Sequence, residues 1–156
     1  TKILDTRKTT PGLRLLEKQA VKAGGGENHR MGLFDMFLIK ENHIKAAGGI
    51  AEAVRKAKSK RRKEKVEVEV GNLREFEDAI KSKPDWIMLD NMSIEQMKKA
   101  VRMISSRSPR IKIEASGNVN LNNVRRIALT GVDFISVGAL THSAPAMDLS
   151  LILMQP

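Results

Sequence analysis

The sequence predicts an α/β domain whose parallel strands curve into an incomplete (β/α) barrel. Six short apolar runs each end in a charged or hydrogen-bonding cluster. Most of them lead into a stretch of helical periodicity, and strand–helix alternation implies parallel strands joined by crossover helices. No linker, low-complexity segment or shift of composition divides the chain, so residues 1–156 read as one domain. In such a barrel the polar residues closing each strand gather at the carboxyl-terminal mouth, which turns scattered charges into one pocket.

Ile3 to Thr6 is the first predicted strand, running into Arg7 and Lys8. Pro11-Gly12 makes a turn, and Pro11 suits the start of a helix whose apolar face is Leu13, Leu16, Ala20 and Val21. Three glycines, Gly24 to Gly26, stop that helix and open a loop ending in His29-Arg30. Phe37 to Lys40 is the second strand, and Ile50 to Lys58 a helix that closes in the basic run Arg55–Lys65. Lys65 to Val70 alternates with period two, so Glu67 and Glu69 share a face. Asn72 caps a helix over Leu73–Lys81. Asp85 to Leu89 is a strand ending in Asp90-Asn91, and Ser93 caps a helix with Glu95 and Gln96 in its first turn. Ile111 to Ala115 leads into Ser116-Gly117-Asn118, and Asn120 starts a helix bearing Val124, Ile127 and Ala128. Asp133 to Val137 is the last strand, followed by Gly138-Ala139 and His142, and Pro145 to Leu153 is expected to be a closing helix.

The chain is short for a full eight-stranded barrel, which takes about 250 residues. It starts on Thr1 almost directly at a strand, so it is expected to be part of a longer polypeptide. No apolar stretch approaches the length of a membrane span. The absence of cysteine excludes disulfides and thiolate metal sites and fits a reducing cytoplasm. A net charge of +10 raises nucleic-acid binding, but much of the excess sits in Arg55–Lys65. That run has no aromatic residue to stack on bases and reads as a solvated helix end. Arg7, Lys8, Arg14, Lys18, Arg30 and Lys40 are more telling, because they stand near strand ends and loops, where converging cations suit a polyanionic small molecule.

The strand ends suggest a division of chemistry. Glycine-bearing turns at Ser116-Gly117-Asn118 and Gly138-Ala139 allow backbone amides to approach a phosphate, although either could be an ordinary strand-to-helix turn. Arg7, Lys8, Arg30 and Lys40 can bind carboxylates or phosphates, and Lys40 must emerge from the end of a buried strand. His29 is open to a structural or a binding role, and the three histidines lack the spacing of a histidine metal site. Glu69 and Asp90 close adjacent strands, where carboxylates can accept ribose hydroxyls, meet Mg²⁺ or offset a cationic transition state, or simply pair with lysine.

Seven blocks in order then go beyond generic barrel logic: DTRKTTPGLR (5–14), GGGENHR (24–30), LIKENHI (38–44), VEVEVGNL (66–73), IMLDNM (87–92), EASGNV (114–119) and TGVDFISVGALTHS (130–143). Together they resemble the carboxyl-terminal barrel of the quinolinate phosphoribosyltransferase family, the type II phosphoribosyltransferases. The resemblance implies that quinolinate attacks phosphoribosyl pyrophosphate, with loss of pyrophosphate and CO₂, to give nicotinate mononucleotide for NAD biosynthesis. It implies that Arg7, His29, Arg30 and Lys40 hold the quinolinate carboxylates, while Lys8, Lys40 and Thr6 meet the pyrophosphate. Glu69 and Asp90 would hold ribose hydroxyls and lie near Mg²⁺ carried mainly by the diphosphate. Ser116, Gly117, Asn118, Val137, Gly138 and Ala139 would surround the 5′-phosphate, with His142 beside them in a secondary role. Of these, Lys8, Lys40, Glu69 and Asp90 are the expected catalytic residues.

Gly71 departs from the charged residue that many relatives carry after the VEVEV strand. The family also has an amino-terminal α/β sandwich domain and early barrel elements that this sequence lacks. In its dimer, the sandwich domain of one subunit covers the barrel of the other. The expectation is therefore a homodimer or higher homo-oligomer in the cytoplasm, without nucleic acid or membrane, and poor activity from these residues alone. Alternatives are a paralogue acting on another acid, or a non-catalytic module that binds phosphate or nucleotide.

Overall fold

The structure is a computed structural model that describes residues 1–107 and 110–154. Its elements are β1 (Lys2–Leu4), α1 (Arg14–Ala23), β2 (Met36–Ile39), α2 (Glu41–Ala47), α3 (Ile50–Lys60), β3 (Lys65–Val70), α4 (Leu73–Ser82), β4 (Trp86–Asp90), α5 (Ile94–Arg107), β5 (Lys112–Ser116), α6 (Val124–Ala128), β6 (Phe134–Ser136) and α7 (Ala139–His142). The six strands form one sheet in the order β1-β6-β5-β4-β3-β2, and every pair is parallel. β1 and β2 are thus the two edges, and the ring stays unclosed. The segment after the three glycines runs along this seam. Glu27 donates its amide to Ile3 O (2.8 Å) and accepts from the Asp5 amide (3.1 Å), while Arg30 Nη1 reaches Met36 O (3.1 Å) at β2.

The strand alternation assigns the two faces. Val66, Val68 and Val70 on β3, Ile87 and Leu89 on β4, Ile113 and Ala115 on β5 and Ile135 on β6 are buried in the core. They pack with Val54 and Ala57 of α3, Phe76, Ala79 and Ile80 of α4, and Met97, Ala100 and Ile104 of α5. Each fully buried Val, Leu or Ile contributes roughly 1.5–3 kcal/mol, so this outer layer is what holds the sheet. The opposite face carries Glu67, Glu69, Met88, Asp90, Glu114, Ser116 and Ser136.

Two helix starts behave as their capping residues predict. Asn72 Oδ1 accepts the Glu75 amide (3.0 Å), and Ser93 and Gln96 exchange bonds, Gln96 N to Ser93 Oγ (3.3 Å) and Ser93 N to Gln96 Oε1 (2.9 Å). The basic run forms the end of α3 and the turn after it, where Arg55 pairs with Glu52 and Arg61 with Asp85.

The structure departs from the sequence reading in four places. No helix forms over 145–153, where Met147, Leu149, Leu151, Ile152 and Leu153 are exposed. Those side chains lie uncovered, and helices in proteins owe most of their stability to packing an apolar face. Two short helices, α2 and α7, stand where only polar clusters were expected. Of the expected apolar face of α1 only Val21 is buried, with Leu16 63% exposed, and the helix buries Lys18 beside it. Finally, β1 ends at Leu4, because the backbone from Asp5 onward turns into the site. Among the described residues no helix is long and apolar enough to cross a membrane.

Candidate active site

The carboxyl ends of the strands surround an open cavity of about 870 Å³. Thr6, Arg7, Lys8, His29, Arg30, Lys40, Glu69, Asp90, Ser116, Gly117, Asn118, Gly138, Ala139 and His142 all line it. Val137 does not: its amide donates to Leu4 O (2.9 Å) and ties β6 to β1. A second cavity of about 550 Å³ lies between β1 and the end of α1, but its only charged lining groups are Lys2 and Glu27, and none of the expected site residues reaches it.

The end of the main cavity that carries Arg7 is built on a buried charge. Asp5 is fully buried; Lys18 is ion-paired with it and donates to His29 O (3.0 Å). Asp5 Oδ1 also accepts the His29 amide (2.9 Å), and the Asn28 side-chain amide donates to Asp5 Oδ2 (2.8 Å) and Lys18 O (2.9 Å). Desolvation makes such a pair a poor source of net stability, but it ties α1, β1 and the His29-Arg30 loop into one unit. Lys18 is therefore an internal brace and not one of the cations at the mouth. Arg14 likewise staples the loop, donating to Thr9 Oγ1 (3.0 Å), Arg7 O (3.2 Å) and Met31 O (3.4 Å).

Arg7 and Arg30 are then left close together. Burial, and next the Arg7 charge, lower the Arg30 pKa, and among the described residues Arg7 Nε is buried with no hydrogen-bond partner. Two neighbouring guanidiniums with an unmet donor form a ready-made site for an anion. Across the cavity Lys40 is ion-paired with Glu69, and Asp90 accepts from Asn91 Nδ2 (3.0 Å).

The remaining end is made of backbone. Gly117 has φ +97°, and a Cβ there would lie 2.2 Å from Asn91 Oδ1. Asn118 Nδ2 donates to that same oxygen (3.0 Å), so the glycine turn and the Asp90-Asn91 strand end interlock. A Cβ at Gly138 would lie 2.8 Å from His142 Nε2. Thr141 Oγ1 donates to Lys8 O (2.7 Å), which joins α7 to the first strand end.

Beneath these groups lies a cluster that sequence reasoning missed. His29 Nε2 is 3.0 Å from Glu67 Oε2 and 3.3 Å from Glu114 Oε2, and both glutamates are fully buried. Ser136 Oγ donates to the other oxygen of Glu114, and Trp86 meets the His29 ring edge-on at 6.0 Å. Trp86 in turn stacks on Phe134 (4.3 Å) to form the floor. Burial, and next the Glu114 carboxylate, raise Glu67 to about 7. Burial lowers the His29 pKa, but hydrogen bonds from Glu114 and Glu67 outweigh it and lift the ring to about 10, which would describe an imidazolium. The Arg30 amide argues otherwise, because it donates to His29 Nδ1 (2.8 Å), and a protonated Nδ1 would set two N–H groups face to face. The neutral Nε2–H tautomer satisfies the contacts of both ring nitrogens. That tautomer also argues against a metal ion in this cluster, since Nε2, the nitrogen facing the two acids, carries hydrogen. The only sequence signal for the cluster was the shared face of Glu67 and Glu69; Glu114 read as one more strand residue.

A parallel sheet with convergent cations, two central acids and two glycine turns at its carboxyl ends defines an α/β domain with a cavity of the kind suited to a polyanionic ligand. Residues 1–152 match the family described as quinolinate phosphoribosyl transferase, C-terminal domain, and the chain belongs to that family. It is 50% identical over 152 residues to a probable nicotinate-nucleotide pyrophosphorylase (carboxylating) of Synechocystis sp., covering 97% of this chain and 52% of that protein. A chloroplastic nicotinate-nucleotide pyrophosphorylase (carboxylating) of Arabidopsis thaliana is 48% identical over 168 residues, covering 96% of this chain and 47% of that protein. The nicotinate-nucleotide pyrophosphorylase structure from Francisella tularensis superposes with a TM-score of 0.90 at 56% identity, covering 96% of this chain and 52% of that one. The chain thus spans about half the length of the relatives it matches.

Proposed function

We propose that this chain is the barrel of an enzyme that transfers phosphoribosyl from phosphoribosyl pyrophosphate to quinolinate with loss of CO₂, giving nicotinate mononucleotide for NAD biosynthesis. The observation that carries the reading is the Arg7–Arg30 pair with its unmet buried donor, set across one cavity from the acids Glu69 and Asp90. A pyridine dicarboxylate supplies the missing anion at the guanidiniums, with His29 at their base. Arg30 and Lys40 would hold its carboxylates and aim the ring nitrogen at the sugar. Glu69 and Asp90 would accept ribose hydroxyls and offset charge as the anomeric carbon loses its leaving group. Lys8, Lys40 and Thr6 stand where departing diphosphate needs cations and donors. The turns at Ser116–Asn118 and Gly138–Ala139 would hold the 5′-phosphate, with His142 beside it.

Geometry and electrostatics suffice for such a displacement; no covalent nucleophile is required. Mg²⁺ fits the donor set, since hard carboxylate oxygens at Glu69 and Asp90 face the region assigned to the diphosphate. When bound it neutralises charge on the leaving group. Whole-protein properties belong to the same proposal: a cytoplasmic homodimer or higher oligomer in which the remaining half of the polypeptide completes the cavity.

The test is pyrophosphate release by the full-length enzyme given quinolinate, phosphoribosyl pyrophosphate and Mg²⁺. Lys40→Ala is expected to lower turnover by about 10²-fold or more while leaving the fold intact, the usual scale for losing a charge that stabilises a transition state. No release by the intact enzyme would refute the reading.

A further inference from the structure

Glu67 and Glu114 have no part in the substrate contacts assigned above, yet they are the most costly groups in the barrel to bury. Both are fully buried, and Glu67 Oε1 and Glu114 Oε2 have no hydrogen-bond partner among the described residues. Two ionised carboxylates so placed would repel each other in a medium that screens them poorly. Their one shared cationic candidate, His29, is held neutral by the Arg30 amide on Nδ1. What the geometry gives them in return is a fixed partner: Glu67 Oε2 is an acceptor for His29 Nε2–H at 3.0 Å.

We propose that the buried carboxyl groups of Glu67 and Glu114 position the carboxylate-binding arginines through His29. The chain of contacts is continuous. Glu67 Oε2 accepts from Nε2, with Glu114 Oε2 3.3 Å from it; this leaves Nδ1 as an acceptor for the Arg30 amide, and Arg30 Nη1 is anchored on Met36 O (3.1 Å). Trp86 closes the third side of the ring. Both ring nitrogens are thereby engaged inside the protein, so His29 serves the site by placing Arg30 beside Arg7 and donates no ring hydrogen to the substrate. Glu67 and Glu114 are positioning residues, and the acid pair belongs to the dicarboxylate end of the cavity, not to the ribose or phosphate end.

The inference rests on the proposed function for the identity of the substrate but not for the state of the histidine. In the full-length enzyme, Glu67→Leu should raise the KM for quinolinate about tenfold, the scale of one lost buried hydrogen bond, and change that for phosphoribosyl pyrophosphate less than about twofold. Glu67→Gln should restore most of the loss, because the amide oxygen still accepts from His29 Nε2–H. Equal rises in both KM values, or none in a folded Glu67→Leu protein, would overturn it. Nitrogen-15 NMR of the unliganded wild-type protein gives a second decision that needs neither a variant nor substrate. One protonated ring nitrogen on His29 at neutral pH is expected, and two would refute the proposal. If the enzyme proves inactive on quinolinate while His29 shows one ring proton, the function fails and the carboxyl pair stands.

Discussion

The two ends of the cavity are built by opposite means. At the Arg7–Arg30 end, buried side chains do the organising: Asp5 with Lys18 below the loop, and Glu67 with Glu114 below His29. At the Gly117 and Gly138 end, backbone turns present the binding groups, and their shape depends on missing side chains. On the proposed function, the first end would supply directional charge to a planar dicarboxylate, and the second would bring backbone amides close to a phosphate. Each end should therefore break in its own way.

The largest expected effect is at the buried ion pair. Asp5→Ala strands the Lys18 ammonium in a closed interior and should cost about 3–5 kcal/mol of unfolding free energy, read by denaturant titration. Next comes Gly117→Ala. Positive φ and the approach to Asn91 make any side chain strained there, at about 1–3 kcal/mol, and the loss should appear as weaker binding of the phosphate-bearing substrate.

The acid pair predicts a smaller, pH-dependent effect. Glu67 is raised to about 7 from an ordinary 4.5. Between those values the folded chain keeps a proton that the unfolded chain has released, so stability must fall as pH rises through the window. A falling melting temperature from pH 5 to 7, flattened in Glu67→Gln, is the expected record. The smallest effect is at the surface, where Lys45→Ala removes an exposed pair with Glu41 and should leave the melting temperature unchanged within error.

Much of this was legible in the residues. Glu69 and Asp90 could be placed in one mouth because period-two alternation in VEVEV and the LDN strand end leave few options. What could not be read was whether a given charge faces the cavity or lies beneath it. Lys18 looks like Lys8 in sequence, yet helix periodicity turns it onto Asp5. Glu67 looks like Glu69, yet one pleat deeper it meets His29 and Glu114 across the barrel, a contact between residues far apart in the chain. The expected helix over 145–153 failed for a related reason: its apolar pattern is real, but its side chains stay exposed and unpacked.

The division of the cavity is the central claim, and crossed kinetics test it most directly. Initial rates of the full-length enzyme should be measured for Arg30→Ala and Gly117→Ala against both substrates. Arg30→Ala should raise the quinolinate KM about tenfold or more with little change for phosphoribosyl pyrophosphate, and Gly117→Ala should do the reverse. Parallel changes in both constants for both variants would contradict the account.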